Sequence, residues 1–296
     1  MSPYLVALAA FCWGISGGIG AWLIAGDWDA LVVSLYRGAV GLMFVLAWLV
    51  LDPRDSGLRD RRVWFWSAVA GLGVAGNFTF YFLSIAEGSV AVAATLMYCA
   101  PVFVYLVSFL LGLERFTAVK LAAIVVVMIG IVLLTRVYDV EVDVVSPVGI
   151  GAGLLAGASY ALFIFGFKYA APHGSPQAIL VIAFATFVAV LLFLSDLREA
   201  VSVPGSPDWM MFAALGVLGA GVSFVFYVVG LNRTAPAVAA MLAMVEPVTA
   251  SLFGFALLNE RLVAVQVLGM VLILITVTAL AVYSSGRRPF VRHSRY

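Results

Sequence analysis

The 296-residue sequence predicts an all-α integral membrane protein. Its ten transmembrane helices form two inverted five-helix repeats, with both termini in the cytoplasm. Three observations carry this. The chain is 65% hydrophobic and 10% charged, with mean hydropathy +1.15. So few charges cannot cover a water-soluble surface, and lipid is the main solvent. The apolar residues fall into ten runs long enough to span a bilayer. One arrangement also occurs twice: Tyr81, Ala93-Ala94, Pro101-Val102 and Glu114-Arg115 recur 146 positions later as Tyr227, Ala239-Ala240, Pro247-Val248 and Glu260-Arg261. Leu72-Gly73/Leu218-Gly219, Phe80/Phe226 and Phe109/Phe255 keep the same offset.

A span needs about 20 apolar residues at roughly 1.5 Å each. The runs cover 3–24, 30–51, 63–84, 89–112, 117–136, 147–170, 176–195, 208–230, 235–258 and 262–284, numbered here helices 1 to 10. They are too long for barrel strands, and backbone groups in hydrocarbon need internal partners, so they are helices. The first run lacks a basic leader and a clear cleavage site, and is read as a retained helix. Cys12 and Cys99 lie inside apolar runs and read as core residues.

Lys and Arg set the orientation. One side receives twelve: Arg54, Arg59, Arg61, Arg62, Arg115, Lys120, Lys168, Arg233, Arg287, Arg288, Arg292 and Arg295. The other receives Arg136, Arg198 and Arg261, and Arg37 lies within the membrane. The basic side is the cytoplasm. Residues 1–138 form the first repeat; 139–296 form the second, with a basic tail. Five helices is an odd number, so the second copy starts on the opposite side. The result is the inverted repeat of secondary transporters, able to exchange outward-open and inward-open cavities.

Glycines concentrate in helices 1, 3, 6 and 8. They suit close helix packing and also smooth, movable surfaces around a space. Gly73, Asn77, Tyr81 and Ser84 share a face of helix 3, matched on helix 8 by Gly219, Ser223 and Tyr227. These polar groups either join helices or line a shared interior, and the tyrosine in both copies favours the interior. Helices 5 and 10 are aliphatic, suited to lipid, packing or a dimer contact. The oligomeric state stays open.

Pro101 and Pro247 lie 12 residues into helices 4 and 9, about 18 Å deep and close to the midplane. Each removes a helical hydrogen bond and kinks its helix, and broken helices at the midplane are where transporters place substrate. Trp13, Tyr98, Tyr160 and Phe163 fall at similar depth.

Glu246 precedes Pro247, where a carboxylate is costly and its repeat counterpart is Ala100. It either bonds a freed carbonyl or takes a substrate amine or a proton. Arg37, about 10 Å inside the outer surface, reads as a structural cation that snorkels or pairs with a carboxylate such as Asp27 or Glu87, or as an attractor of anions at the outer mouth. The Glu114-Arg115 and Glu260-Arg261 pairs read as anchors at helix junctions. No phosphate-binding loop, metal-ligand cluster or intramembrane Ser/His/Asp set occurs. No cofactor, metal, ATP or catalysis is expected, and the net charge of +1 gives no case for nucleic acid.

Together, the ten helices in two halves, the early Trp13-Gly14, the Pro…Leu-x-Glu-Arg endings of helices 4 and 9 and the Glu246-Pro247-Val248 run resemble the drug/metabolite transporter superfamily, specifically its EamA-type exporters. The aromatic interior and the length also resemble the YddG-type bacterial amino-acid exporters. That resemblance implies aromatic and other neutral amino acids as cargo and a bacterial inner membrane as location.

The expected function is therefore export of amino acids or similar small amphipathic metabolites by alternating access. Trp13, Asn77, Tyr81, Tyr98, Tyr160, Phe163, Ser223, Tyr227 and Glu246 are the candidate lining, shaped by Pro101 and Pro247. Facilitated diffusion and proton exchange both stay open. Hydrophobic cations balanced by Glu246 are the alternative cargo. A membrane enzyme or lipid-handling protein ranks lower, for want of a reactive cluster.

Overall fold

The computed structural model describes residues 2–53, 55–113, 116–141, 145–258 and 260–285. Arg54, Arg115, Arg287, Arg288, Arg292 and Arg295, which carry part of the orientation argument, and Glu114 of the first junction pair lie outside the described residues. The described chain is all helical, and ten helices are long and apolar enough to cross a membrane. They are Pro3–Ala25, Ala30–Leu51, Arg61–Ala86, Val90–Leu110, Ala118–Thr135, Pro147–Ala170, Pro176–Leu194, Trp209–Asn232, Pro236–Leu257 and Ala264–Tyr283, helices 1 to 10 in order.

Their ends follow local chemistry. Asp29 caps helix 2 by accepting from Leu31 N and Val32 N. Ser89, Thr117, Ser146 and Ser175 cap helices 4, 5, 6 and 7 in the same manner. Helices 6 and 7 add a proline at the first turn, where the missing N–H is not needed.

Helices 4 and 9 are fully interrupted rather than merely kinked. Helix 4 consists of Val90–Met97 and Ala100–Leu110; helix 9 of Pro236–Leu242 and Val245–Leu257. In each case the break precedes the proline, which sits in the first turn of the new segment. There its missing donor costs nothing. Tight bonds close the joints: Cys99 N to Leu96 O at 3.2 Å, and Met244 N to Met241 O at 3.1 Å.

The packing maps onto itself when each helix number is moved by five. Helix 6 lies along helix 3 and against both pieces of helix 4; helix 1 lies along helix 8 and against helix 9. Helix 2 meets helix 7, and helix 5 meets helix 10. The first helix of each half thus packs in the opposite half. Glycine makes this approach possible at both breaks. A Cβ on Gly14 would stand 2.6 Å from Glu246 O, and one on Gly157 would stand 2.9 Å from Leu96 O. Helices 5 and 10 use one face on each other: Gln266 Nε2 donates to Leu134 O at 3.0 Å.

Candidate functional site

Helices 1, 2, 3, 6, 8 and 9 enclose a small cavity lined by Trp13, Arg37, Val74, Asn77, Phe78, Tyr160, Phe163, Phe224 and Glu246. Its volume is about 30 Å³, room for about one or two waters. A metabolite needs more room than this, so the helices must part to admit one.

The walls are aromatic. Trp13 stands 4.9 Å from Tyr227 and 5.0 Å from Phe224, ring centre to ring centre. Tyr160 lies 4.5 Å from Phe163, and Phe224 lies 5.2 Å from Phe184. These rings bury a large apolar area at low conformational cost. Their polar edges are less well served: Trp13 Nε1, Ser223 Oγ and Tyr227 OH are buried without a hydrogen-bond partner. Buried orphans of this kind are uncommon in folded proteins and point to a water or ligand as the missing partner.

Two charged groups face the cavity. Glu246 enters at the break of helix 9, where Tyr160 OH donates to its carboxylate at 3.4 Å. Arg37 enters from helix 2, only 9% exposed. Its Nε donates to Gly219 O at 3.1 Å, and its guanidinium lies 5.1 Å from the centre of the Phe78 ring. Gly219 belongs to a π-helical segment, Val217–Val222, that interrupts helix 8. A Cβ there would stand 2.9 Å from Arg37 Nε, so glycine is what lets the guanidinium reach the backbone. Among the described residues, no ion pair joins Arg37 to Glu246.

The expectation that Arg37 pairs with Asp27 or Glu87 is corrected. Glu87 instead accepts from Ser146 Oγ at 2.8 Å and ties helix 3 to helix 6. Asp27 sits in the turn between helices 1 and 2 with φ 70°. Arg37 turns inward because the π-helical segment and Gly219 offer it a carbonyl there.

Of the candidate lining, Trp13, Asn77, Tyr160, Phe163 and Glu246 border the cavity. Asn77 also joins helices, donating to Ala156 O at 3.0 Å, so its two readings coexist. Ser84 only joins helices, through Gly149 O at 2.7 Å. Tyr227 and Ser223 stand in the layer behind, with Tyr227 packed on Trp13. Tyr98 is buried at the break of helix 4. Tyr81 packs on Phe82 and is half-buried. Pro101 and Pro247 lie at the two breaks. Glu260 folds its carboxylate over Gly254 at the end of helix 9, as expected of a junction residue.

Phe78 and Phe224 were not among the candidates. They share the 146-residue offset, so the repeat itself held the signal. Arg37 and Val74 had no such signal, because their partners come from distant helices.

A second, larger cleft of about 470 Å³ opens at the basic face. It is lined by Leu5, Ala171, Ile179, Val228 and Asn232, among others, with Arg233 at its rim. Val228 in the cleft and Phe224 at the cavity lie one turn apart on helix 8, about 6 Å. The rings of Phe167, Phe184, Phe224 and Tyr227 fill that level and separate the two spaces.

The model of the EamA-like transporter family matches this chain over residues 2–136 and again over 147–282. An uncharacterized transporter of Archaeoglobus fulgidus is 32% identical over 250 residues, covering 83% of this chain and 84% of that protein. An uncharacterized transporter of Helicobacter pylori is 25% identical over 91% of each chain. Protein PecM of Dickeya dadantii is 25% identical over 76% of this chain and 77% of its own. A solved crystal structure superimposes with TM-score 0.78 at 18% identity, covering 96% of this chain and 98% of that one. That likeness concerns the fold.

Proposed function

This chain belongs to the EamA-like transporter family and is a multi-pass membrane transporter, and from that premise we propose that it exports amino acids, aromatic and neutral ones first, or similar small amphipathic metabolites by alternating access. The halves 1–138 and 139–296, inverted with both termini cytoplasmic, rock about the central cavity in a bacterial inner membrane. One observation carries the reading. The cavity at the break of helix 9 has aromatic walls, both signs of charge and buried unpartnered polar atoms around it. Aromatic rings suit an apolar side chain, and the polar atoms suit a hydrophilic end. The basic-face cleft is the cargo's entry, and the ring layer of Phe224 and Tyr227 is the barrier that must part. Cargo moves by facilitated diffusion or in exchange for a proton, with Glu246 as the group that takes the proton.

Purified protein in liposomes, assayed against a panel of radiolabelled amino acids with and without a pH gradient, tests this. Saturable flux of aromatic or neutral amino acids is the expected result. Absence of flux for every amino acid, from monodisperse protein, overturns the cargo assignment. Glu246 also favours a second reading, export of hydrophobic cations. Cation flux that survives Glu246→Gln and ignores pH would remove its motive.

A further inference from the structure

Arg37 is the charged group in this cavity that the expected lining did not include, and its surroundings are unusual. A guanidinium carries five N–H donors in a planar fork. Among the described residues, Arg37 makes one hydrogen bond, from Nε to Gly219 O. The Phe78 ring covers one face. The remaining donors lie at the edge of the cavity, with no carboxylate paired to them. Glu246 is in a similar condition: its single partner is Tyr160 OH at 3.4 Å.

Neither charge is required by the symmetry of the repeat. The repeat places Ala183 at the position of Arg37 and Ala100 at the position of Glu246. Both alanines are fully buried, so each charge has a buried methyl group at its counterpart position in the other repeat. Isolated buried charges are costly unless paired. A cation and an anion retained in one cavity, facing it without joining each other, call for a ligand carrying the complementary pair.

We infer that Arg37 and Glu246 form a two-point clamp for a zwitterion, with Arg37 holding a free carboxylate and Glu246 holding the ammonium of the same α-amino acid. The inference rests on the transport reading above and narrows its cargo. The carboxylate matches the guanidinium fork, a geometry a lysine would meet less well. The cargo's side chain then lies against Trp13, Tyr160, Phe163 and Phe224. A hydrophobic cation would meet Glu246 but be repelled by Arg37; an anion would meet the reverse. The cavity must widen to admit the cargo, and both anchors move apart with helices 2 and 9, which come from opposite halves. Binding at the two anchors would therefore couple occupancy to the relative position of the halves.

The test is competition in liposomes preloaded with L-phenylalanine, following uptake of labelled L-phenylalanine. Phenethylamine keeps the ammonium and lacks the carboxylate; N-acetyl-L-phenylalanine keeps the carboxylate and lacks the ammonium. A parallel series uses L-alanine, ethylamine and N-acetyl-L-alanine. The expected result is that each single-charge analogue competes at least about tenfold more weakly than its amino acid, as for sites that lose a buried polar partner. Arg37→Gln should abolish that discrimination against the amine, Arg37→Lys should keep part of it, and Glu246→Gln should relax discrimination against the N-acetyl compound. Equal competition by amine and amino acid in the unmodified protein overturns the clamp, as does an Arg37→Gln variant that weakens all three compounds by one factor. Should Arg37→Gln fail to fold, the ranking on unmodified protein and on Glu246→Gln decides by the same criteria. No uptake of either amino acid by unmodified protein defeats the amino-acid transport reading itself, a result distinct from uptake without charge selectivity.

Discussion

Helices 3 and 4 of the first half and helices 8 and 9 of the second share a skeleton and differ in what they carry. Both fourth helices break before a proline, at Tyr98–Cys99 and at Ala243–Met244. A helix from the opposite half lies against each break through a glycine, Gly157 or Gly14. Yet helix 3 is α-helical throughout Arg61–Ala86, whereas helix 8 contains the π segment Val217–Val222. Alanines occupy the counterpart positions, Ala100 in the first copy for Glu246 and Ala183 in the second for Arg37. The alanine of each pair shows what the fold accepts. What the charge of each pair adds, at a cost in the membrane, is best explained by function.

The largest expected effect comes from erasing that difference. The double change Arg37→Ala with Glu246→Ala gives both positions the methyl groups of their repeat counterparts, Ala183 and Ala100. Flux should fall at least about a hundredfold, the combined effect of two lost polar anchors. The thermal midpoint in detergent should stay within a few degrees, because Ala100 and Ala183 already pack this way. A collapse of the folded protein would show that the charges are structural. The reverse change, Ala100→Glu, places a carboxylate at the first break with no arginine beside it. It should destabilise the protein by about 3 kcal/mol or more, read as loss of monodisperse protein on gel filtration.

Next come the glycines at the breaks. Gly14→Leu and Gly157→Leu both force a side chain onto backbone carbonyls, and each should cost about 1–3 kcal/mol as overpacking, read from thermal midpoints. Gly14→Leu should also cut flux more than Gly157→Leu does, since only the second break presents Glu246. Equal flux losses would make the two breaks functionally alike. The smallest effect separates Asn77 from its counterpart Ser223. Asn77→Ala removes the bond to Ala156 O and should cost about 1 kcal/mol. Ser223 Oγ has no protein partner, so Ser223→Ala should leave stability unchanged within about 0.5 kcal/mol while weakening cargo binding.

Much of the architecture is legible in the sequence. The ten spans lie within a few residues of their observed ends, because apolar length in lipid is a local property. The paired prolines mark the two breaks, because a missing N–H acts on its own helix. Roughly half of the cavity wall is legible as well. Trp13, Asn77, Tyr160, Phe163 and Glu246 are recognisable as polar or aromatic residues at one depth. The helix 3 face that selected Asn77 also selected Ser84, which the fold uses to join helices through Gly149 O. Depth along a helix fixes height in the membrane but leaves the direction of the side chain undetermined.

The sequence by itself determined helices, breaks, duplication and the two positions where the copies disagree. Each follows from chemistry within one helix or from comparison at a fixed offset. Only the tertiary structure decided that helices 1 and 6 pack in the opposite halves, and that Arg37 turns from the outer turn residues toward Gly219. It alone brought Arg37 and Glu246 to one cavity. The reason is physical: a buried guanidinium takes the direction in which an acceptor and a ring are available. Here the acceptor is a carbonyl of helix 8 and the ring is on helix 3, and neither is a neighbour of Arg37 in the chain.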